Sequence, residues 1–294
     1  MLDYRLLAAL AAVVEQGGFE RAARRLALSQ SAVSQRIKLL EARLGQPVVV
    51  RGTPVTATEL GRRLLHHAQQ VRLLESDLLA AVPALADSEQ HRLRVALNAD
   101  SLATWWSEAA GPFCIEREVL LELVIEDQDV GLKRMRAGDV AACLCAAERP
   151  VPGARSVPLG RMRYRALATP AYLERWFPAG VDEAALARAP AVLFGPDDRL
   201  QHRFLEQLGL RAEFPSHLCP SSEGYLRAVA AGLGYGLVPQ IQAQALIERG
   251  ALRDLLPGES LEVALYWHHW RHGGELLDAL TAHLREASRR WLEA

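Results

Sequence analysis

Apolar residues between positions 29 and 44 recur at steps of three and four residues. The residues at these steps are Val33, Ile37, Leu40 and Leu44. This spacing predicts an amphipathic helix with one buried stripe. Ser29 is a favoured N-cap residue and Gly45 is a favoured stop signal, so we expect the helix to run from Ser29 to Leu44.

The opposite face of this helix is polar and carries positive charge. Its side chains are Gln30, Ser31, Ser34, Gln35 and Lys38, and we count Arg36 with them. Amide and hydroxyl groups can meet base edges and phosphates in the DNA major groove, and cations can meet phosphates or guanine. An ordinary surface helix can show the same pattern, so this helix alone leaves both interpretations open.

The flanking segments favour DNA binding. Glu20 to Leu26 predicts a short helix whose small alanines allow a crossing helix to approach, and a tight connection then leads to Ser29. A helix, a short turn and a second helix with a polar face form a helix-turn-helix. Pro47 to Val50 and Val55 to Ala57 predict a hairpin, or wing, with Arg51 placed to reach the DNA backbone or minor groove.

A long helix is predicted to follow, from Thr58-Glu59 to about Ala81. Residues close to an a/d register along it are Leu64, His67, Val71, Leu74 and Leu78. Two copies could therefore pack side by side, which predicts a homodimer and allows a tetramer. The alternative is a helix packed on its own domain. We assign residues 1–58 to the DNA-binding domain, 59–82 to a dimerising linker helix and 83–90 to a polar hinge.

Short apolar runs alternate with helical stretches in the remaining chain. The runs are Leu93–Leu97, Val119–Ile125, Val140–Cys145, Ala191–Phe194 and Gly236–Val238. This alternation predicts an α/β fold with parallel sheets. Residues 91–294 fit two small lobes with a ligand between them, lobe I at about 91–162 and 267–294 and lobe II at about 163–266.

Charge and composition agree with this division. The formal net charge is -1, but the first 58 residues carry +4 and the rest carry -5, as expected for a basic DNA-binding head on an acidic sensor. No signal peptide and no apolar stretch of about 18 residues occurs, which predicts a cytoplasmic protein without a membrane partner. No nucleophile motif or phosphate-binding loop occurs either, so we expect neither an enzyme nor a cofactor.

Polar residues at strand ends are the candidate effector-binding groups. Ser101 follows a strand at the start of a helix, where it could bind a carboxylate or simply act as an N-cap. Asp100 could pair with an ammonium group, and Asp127 and Asp129 at a second strand end could recognise a cationic side chain or remain solvated. These groups together imply a ligand with a carboxylate and excess positive charge, which predicts lysine or arginine.

Three further groups have competing interpretations. Ser221 and Ser222 open a helix in lobe II, where they could contact the ligand or cap the helix. Cys143 and Cys145 share one face of a strand, and we favour a buried strand in a reducing compartment over a redox or metal site. The histidines at 268, 269 and 272 lack a familiar set of partner ligands, so we expect no metal.

A family resemblance supports the DNA-binding interpretation. The segment F-E-R-A-A-R-R-L-A-L-S-Q-S-A-V-S-Q-R-I-K-L-L-E-A-R-L-G-Q-P-V-V-V-R, residues 19–51, resembles the winged helix-turn-helix of LysR-type transcriptional regulators. The resemblance implies a DNA-binding N-terminus, a long dimerising linker helix and a two-lobed α/β effector domain of the periplasmic-binding type. The wing G-T-P-V-T-A-T and the cysteine-containing strand depart from the common family pattern.

Four later segments resemble one branch of that family. They are N-A-D-S-L-A-T-W, P-S-S-E-G, A-G-L-G-Y-G-L-V-P and L-Y-W-H-H-W-R. This branch responds to lysine and arginine and controls basic amino-acid export. We therefore predict a regulator that binds double-stranded promoter DNA under the control of a basic amino acid. The alternatives are an architectural protein that binds AT-rich DNA without a small molecule, and a metabolic enzyme with an incidental helix-turn-helix.

Overall fold

The computed structural model of the chain describes residues 3–81, 92–125 and 131–293. The chain divides into two compact units. The first comprises Met1–Leu97, Phe113–Val157 and Trp267–Ala282, and the second comprises Asn98–Pro112, Pro158–Tyr266 and His283–Ala294. Residues 98–112 and 283–294, which we assigned to lobe I, group with the second unit. The predicted hinge at 83–90 lies outside the described residues, and the domain boundaries stay a prediction.

Residues 3–81 form the predicted winged helix-turn-helix and the long helix that follows it. The elements are α1 (Tyr4–Glu15), α2 (Phe19–Arg25), α3 (Gln30–Leu44), β1 (Val49–Val50), β2 (Thr56–Ala57) and α4 (Glu59–Ala81). Strands β1 and β2 pair antiparallel, with Val49 opposite Ala57, and form the wing. The predicted stripe of α3 is confirmed, because Val33 and Ile37 are fully buried in a core shared with α1, α2 and the start of α4.

The rest of the chain alternates helices and strands. The elements are β3 (Arg92–Leu97), α5 (Ala99–Thr104), α6 (Trp106–Glu116), β4 (Leu120–Ile125), α7 (Gly131–Ala137), β5 (Ala142–Cys145), β6 (Ala154–Ala168), α8 (Pro170–Trp176), α9 (Glu183–Leu186), β7 (Ala191–Leu193), α10 (Leu200–Gln207), β8 (Ser216–Leu218), α11 (Ser222–Ala230), β9 (Gly236–Pro239), α12 (Gln240–Glu248), β10 (Arg253–Asp254), β11 (Leu261–Trp270) and α13 (Glu275–Ala287), followed by a 3₁₀ turn at Ser288–Arg290.

Strand pairing is parallel in part. In the first unit β3 pairs in parallel with β4 and β5, and in the second unit β7 pairs in parallel with β8, as predicted. The prediction of parallel sheets is wrong for the run Gly236–Val238, because β9 pairs antiparallel with β6. Strand β6 also pairs antiparallel with β10. The physical reason is visible in its sequence: arginines alternate with apolar residues, a pattern typical of antiparallel strands, whereas fully buried parallel strands are continuously apolar.

Each unit has its own apolar core. In the first unit Cys143 and Cys145 are buried with Met135, Val140 and Trp270, so the interpretation of β5 as a buried strand holds. In the second unit the core lies beneath α11 and includes Val192, Val229 and Val238. Within the described ranges, no helix is long and apolar enough to cross a lipid bilayer.

Candidate functional sites

Both ends of α3 are fixed by local hydrogen bonding and backbone geometry. The Ser29 hydroxyl accepts a hydrogen bond from the Ala32 N–H at 3.1 Å, which satisfies one of the otherwise unpaired amides of the first turn. Gly45 ends the helix in the left-handed conformation, with φ of 68°. The Ser31 hydroxyl lies 2.9 Å from the Ser29 hydroxyl, so the cap also holds one of the candidate DNA-binding side chains.

The outward face of α3 presents the predicted DNA-binding side chains to solvent. Gln30, Ser31, Gln35 and Lys38 are exposed, and Ser34 and Arg36 are half-buried. Among the described residues Arg36, Lys38 and the exposed wing residue Arg51 form no ion pair. In contrast, Arg25 pairs with Glu15 at 3.2 Å. The cations on α3 and the wing are therefore accessible to phosphate.

A close contact positions the wing. A Cβ atom added to Gly61 of α4 would lie 2.0 Å from the Val48 carbonyl oxygen, so only glycine allows this approach. Next to it, the Thr58 hydroxyl donates to the Pro47 carbonyl at 2.9 Å and accepts from the Gly61 N–H at 3.1 Å. These contacts hold the base of the wing on the first turn of α4.

A second polar cluster lies within the second unit. Asp100 on α5 accepts a hydrogen bond from the Tyr164 hydroxyl at 2.8 Å through one carboxylate oxygen. Its other oxygen accepts from the Ser222 hydroxyl at 2.7 Å. The Ser222 oxygen also lies 3.4 Å from the Gln242 amide oxygen. The Asp100 carboxylate on α5 thus accepts from side chains of β6 and α11, and Gln242 of α12 lies next to Ser222. Ser222 is 122 positions from Asp100 in sequence.

Two buried polar side chains adjoin Asp100 along the chain. Asn98 is 3% exposed and Ser101 is fully buried. Neither the Asn98 amide group nor the Ser101 hydroxyl has a hydrogen-bond partner among the described residues. A buried polar group left unsatisfied costs about 1–3 kcal/mol, so a ligand that supplies both donors and acceptors is favoured here.

The interpretation of Ser101 as an N-cap is wrong. Helix α5 begins at Ala99, and Asn98 holds the N-cap position without a side-chain capping bond. Ser101 is therefore inside the first turn, and its hydroxyl is not used for capping.

The two serines of α11 have different roles. Ser221 is the N-cap, and its hydroxyl accepts from the Gly224 N–H at 3.1 Å. Ser222 is buried and reaches Asp100. Of the predicted effector-binding residues the structure thus brings Asp100 and Ser222 together. Asp127 and Asp129 lie outside the described residues.

The sequence analysis did not identify Tyr164, Asn98 and Gln242. Tyr164 is fully buried on β6, a strand that the analysis of apolar runs did not predict. The alternation R-M-R-Y-R-A at residues 161–166 was a usable signal, because a period of two predicts a half-buried strand. Asn98 and Gln242 carry no such signal, since Asn and Gln are mostly exposed and nothing in their local sequence marks these two for a buried cluster.

A buried network supports the helix that carries Ser222. The Tyr225 hydroxyl donates to the Val192 carbonyl at 2.7 Å and accepts from the Leu237 N–H at 3.0 Å. Burial raises the pKa of Tyr225 well above its usual value, and the negative charges of Asp198 and Asp100 act in the same direction. The phenol therefore stays protonated and ties α11 to β7 and β9.

The cysteine strand is buried rather than open to solvent. Cys143 and Cys145 are at most 1% exposed, and the His268 Nε2 lies 2.7 Å from the Ala147 carbonyl oxygen. The hydrogen bond with Cys143 lowers the pKa of Cys145, and the hydrogen bond with His268 lowers it to a smaller extent. In the parts of the chain that the structure describes, no three ligating side chains are arranged to hold a metal ion.

Two family models match this chain. Residues 4–62 match the model described as bacterial regulatory helix-turn-helix protein, lysR family. Residues 86–289 match the LysR substrate binding domain.

Several known proteins are similar to this chain over its whole length. The HTH-type transcriptional regulator ArgP of Pseudomonas fluorescens (strain Pf0-1) is 66% identical over 293 residues, which cover 99% of each chain. The crystal structure of ArgP from Mycobacterium tuberculosis is 39% identical and covers 100% of both chains with a TM-score of 0.86. Full-length LysG from Corynebacterium glutamicum with bound effector Arg is 31% identical and covers 100% of both chains with a TM-score of 0.78.

Proposed function

Because this chain belongs to the LysR family of bacterial transcription regulators, we propose that it responds to arginine or lysine. It is a DNA-binding regulator and not an enzyme. In the proposal, α3 enters the major groove of promoter DNA, where Gln30, Ser34 and Gln35 contact base edges. The cationic side chains of Arg36, Lys38 and Arg51 contact phosphates, while Ser31 stays with the cap of the helix.

The polar cluster at Asp100 is the observation that carries the effector assignment. A carboxylate held by two hydroxyl donors is already oriented, and it attracts an ammonium or guanidinium group. The unpartnered Asn98 amide and Ser101 hydroxyl supply the donors and acceptors that an α-amino acid requires. Arginine, the effector bound in the LysG neighbour, has the cationic and carboxylate groups that this arrangement would recognise. We propose that Asp127 and Asp129 add negative charge that attracts the cationic side chain of the effector.

The remaining parts of the proposal concern the setting in which the regulator acts. We place the protein in the cytoplasm, as a homodimer that can assemble further to a tetramer. Its target genes serve basic amino-acid export or metabolism, in agreement with the resemblance of four segments to the lysine- and arginine-responsive branch.

Thermal unfolding in the presence of each common amino acid tests the effector. A ligand that binds only the folded state stabilises it by RT ln(1 + [L]/Kd), about 2.7 kcal/mol at 100 times Kd. We expect arginine or lysine to raise the unfolding temperature and neutral or acidic amino acids to leave it unchanged. If no amino acid raised it, the effector assignment would be discarded and architectural DNA binding would become the better explanation.

A matched pair of variants tests the site. Asp100→Asn removes the charge but keeps the shape, so arginine should bind at least about tenfold more weakly, since hydrogen bonds to charged groups contribute about 1.5–3 kcal/mol. Glu223→Gln is the control, because Glu223 is an exposed acid of α11 that pairs with Arg227. Calorimetric titration of both variants with arginine provides the measurement. Equal weakening in both variants would remove Asp100 from the site.

A further inference from the structure

Helix α4 makes contacts with two different parts of the first unit. Leu64, Leu65 and Ala68 are buried in the core of the winged helix-turn-helix. His66, which lies between them in sequence, instead contacts residues that belong to the substrate-binding domain. One turn of α4 therefore touches both the DNA-binding head and the effector-binding part of the same unit.

The backbone of α4 lies directly on Gly138. A Cβ atom added to Gly138 would lie 2.8 Å from the His66 backbone nitrogen, 3.0 Å from its Cα and 3.1 Å from the Leu65 carbonyl carbon. These neighbours are backbone atoms and cannot move aside as a flexible side chain could. Gly138 also ends α7 with φ of 74°, a conformation that favours glycine. Space thus restricts this position to glycine, and the conformation favours glycine as well.

The His66 side chain extends the contact to a buried tryptophan. Its ring meets Trp270 edge to face, with centroids 3.9 Å apart and an interplanar angle of 72°. Trp270 is 1% exposed, and a Cβ atom added to Gly153 would lie 3.8 Å from the indole ring. The tryptophan is therefore held in place by packing, and a change in its position would displace the His66 ring.

We propose that His66, Gly138 and Trp270, here called the linker contact, transmit the effector response to the DNA-binding head. Trp270 is the last residue of β11, a strand that begins in the second unit at Leu261 and ends in the first. The second unit carries the Asp100 cluster, and this strand is a chain segment that leads from that unit to Trp270, the ring partner of His66. His66 and Gly138 are positioning residues in this scheme and touch neither DNA nor effector. The proposal rests on the proposed function.

A first experiment examines the linker contact without any effector. His66→Ala removes the ring that meets Trp270. Its matched control is His67→Ala, because the neighbouring ring stacks on Tyr4 of the DNA-binding head, with Nε2 3.3 Å from the Tyr4 hydroxyl. Hydrogen exchange of the α7 amides should be about two- to tenfold faster in His66→Ala, the factor that one edge-to-face aromatic pair supplies, and unchanged in His67→Ala. Unchanged exchange in both variants would overturn the linker contact.

A second experiment measures the coupling itself. Gly138→Asn introduces a Cβ atom at the contact, while asparagine tolerates the left-handed conformation better than most residues. Gly209→Asn is the control, because Gly209 follows α10 with φ of 73° and has no atom within 4 Å of an added Cβ. The readout is the DNA footprint and promoter affinity with and without arginine, alongside arginine binding to the free protein.

The outcomes separate the two proposals. We expect Gly138→Asn and His66→Ala to bind arginine and promoter DNA, and to lose most of the arginine-dependent change in footprint or affinity that Gly209→Asn and His67→Ala retain. An arginine response equal to that of the unmodified chain in both linker-contact variants would overturn the inference. If the unmodified chain did not bind arginine or lysine, the proposed function would fail, whereas hydrogen exchange would still decide whether the contact exists.

Discussion

At the scale of single residues, Gln30 and Lys38 share an exposed face of α3, and in the proposed function they act on different parts of DNA. An amide can form paired hydrogen bonds to a base edge, whereas an ammonium group mainly neutralises phosphate. Gln30→Ala should therefore reduce discrimination between promoter and random DNA by about 1–3 kcal/mol per specific contact. Titrations of both DNAs would show this, and equal losses on the two would exclude Gln30 from base recognition.

Lys38→Ala should weaken binding to both DNAs. The slope of log affinity against log salt should fall by about one unit, since each phosphate contact releases about one counterion. Arg43→Ala serves as the control, because Arg43 lies on the last turn of α3 and faces Asp3 at 3.9 Å. An unchanged salt slope in Lys38→Ala would exclude the phosphate contact.

His66 gives the folded chain a predictable response to pH. Burial lowers the pKa of His66, and the charge of His67 acts in the same direction. The folded state therefore binds fewer protons than the unfolded state. The contribution of His66 to the free energy of unfolding is thus fully present above about pH 6.5 and is lost as the pH falls. Urea unfolding at pH 7.5 and 5.5 should show a smaller loss of unfolding free energy in His66→Gln than in the unmodified chain. An identical loss of unfolding free energy in both proteins would contradict the lowered pKa of His66.

At the scale of elements, the wing depends on its contact with α4. Gly61→Ala would place a Cβ atom 2.0 Å from the Val48 carbonyl oxygen, so the wing and the helix would have to separate. Overpacking of this kind costs about 1–3 kcal/mol of unfolding free energy. Gly52→Ala is the control within the wing, since its Cβ would meet only the Pro54 oxygen at 3.4 Å. Chemical denaturation of both variants measures the difference, and equal stabilities would show that the contact tolerates a methyl group.

At the scale of the whole molecule, α4 has less surface available for a second copy than its sequence suggests. Leu64 is buried in the core of its own chain, whereas Leu74 is 51% exposed. If the predicted dimer forms through α4, Leu74→Asp should shift the protein to monomer and reduce promoter affinity at least about tenfold, because a dimer contacts two half-sites. Leu233→Asp, at an exposed leucine of the second unit, is the control. Sedimentation velocity measures the oligomeric state of both variants. A stable dimer of the Leu74→Asp variant would contradict an interface through α4.

The DNA-binding head was predictable from sequence because its signals are local. The cap at Ser29, the stripe through Val33 and Ile37 and the stop at Gly45 all lie within sixteen positions of one another. A helix is determined by neighbours up to four residues apart, so composition and spacing define its ends and its buried face. The sequence by itself thus determined the elements of the head and which face of α3 is exposed.

The polar cluster at Asp100 was decided only by the tertiary structure. Asp100 meets Tyr164 and Ser222 across 64 and 122 positions of sequence, and no periodic pattern reports such a meeting. The sequence proposed Asp100 and both serines, but only the fold distinguishes the capping Ser221 from the Ser222 that reaches the carboxylate. The same holds for the approach of α4 to Gly138. Helix ends are set by hydrogen bonds within one segment, whereas a binding cluster is set by the packing of segments that the chain brings together from far apart.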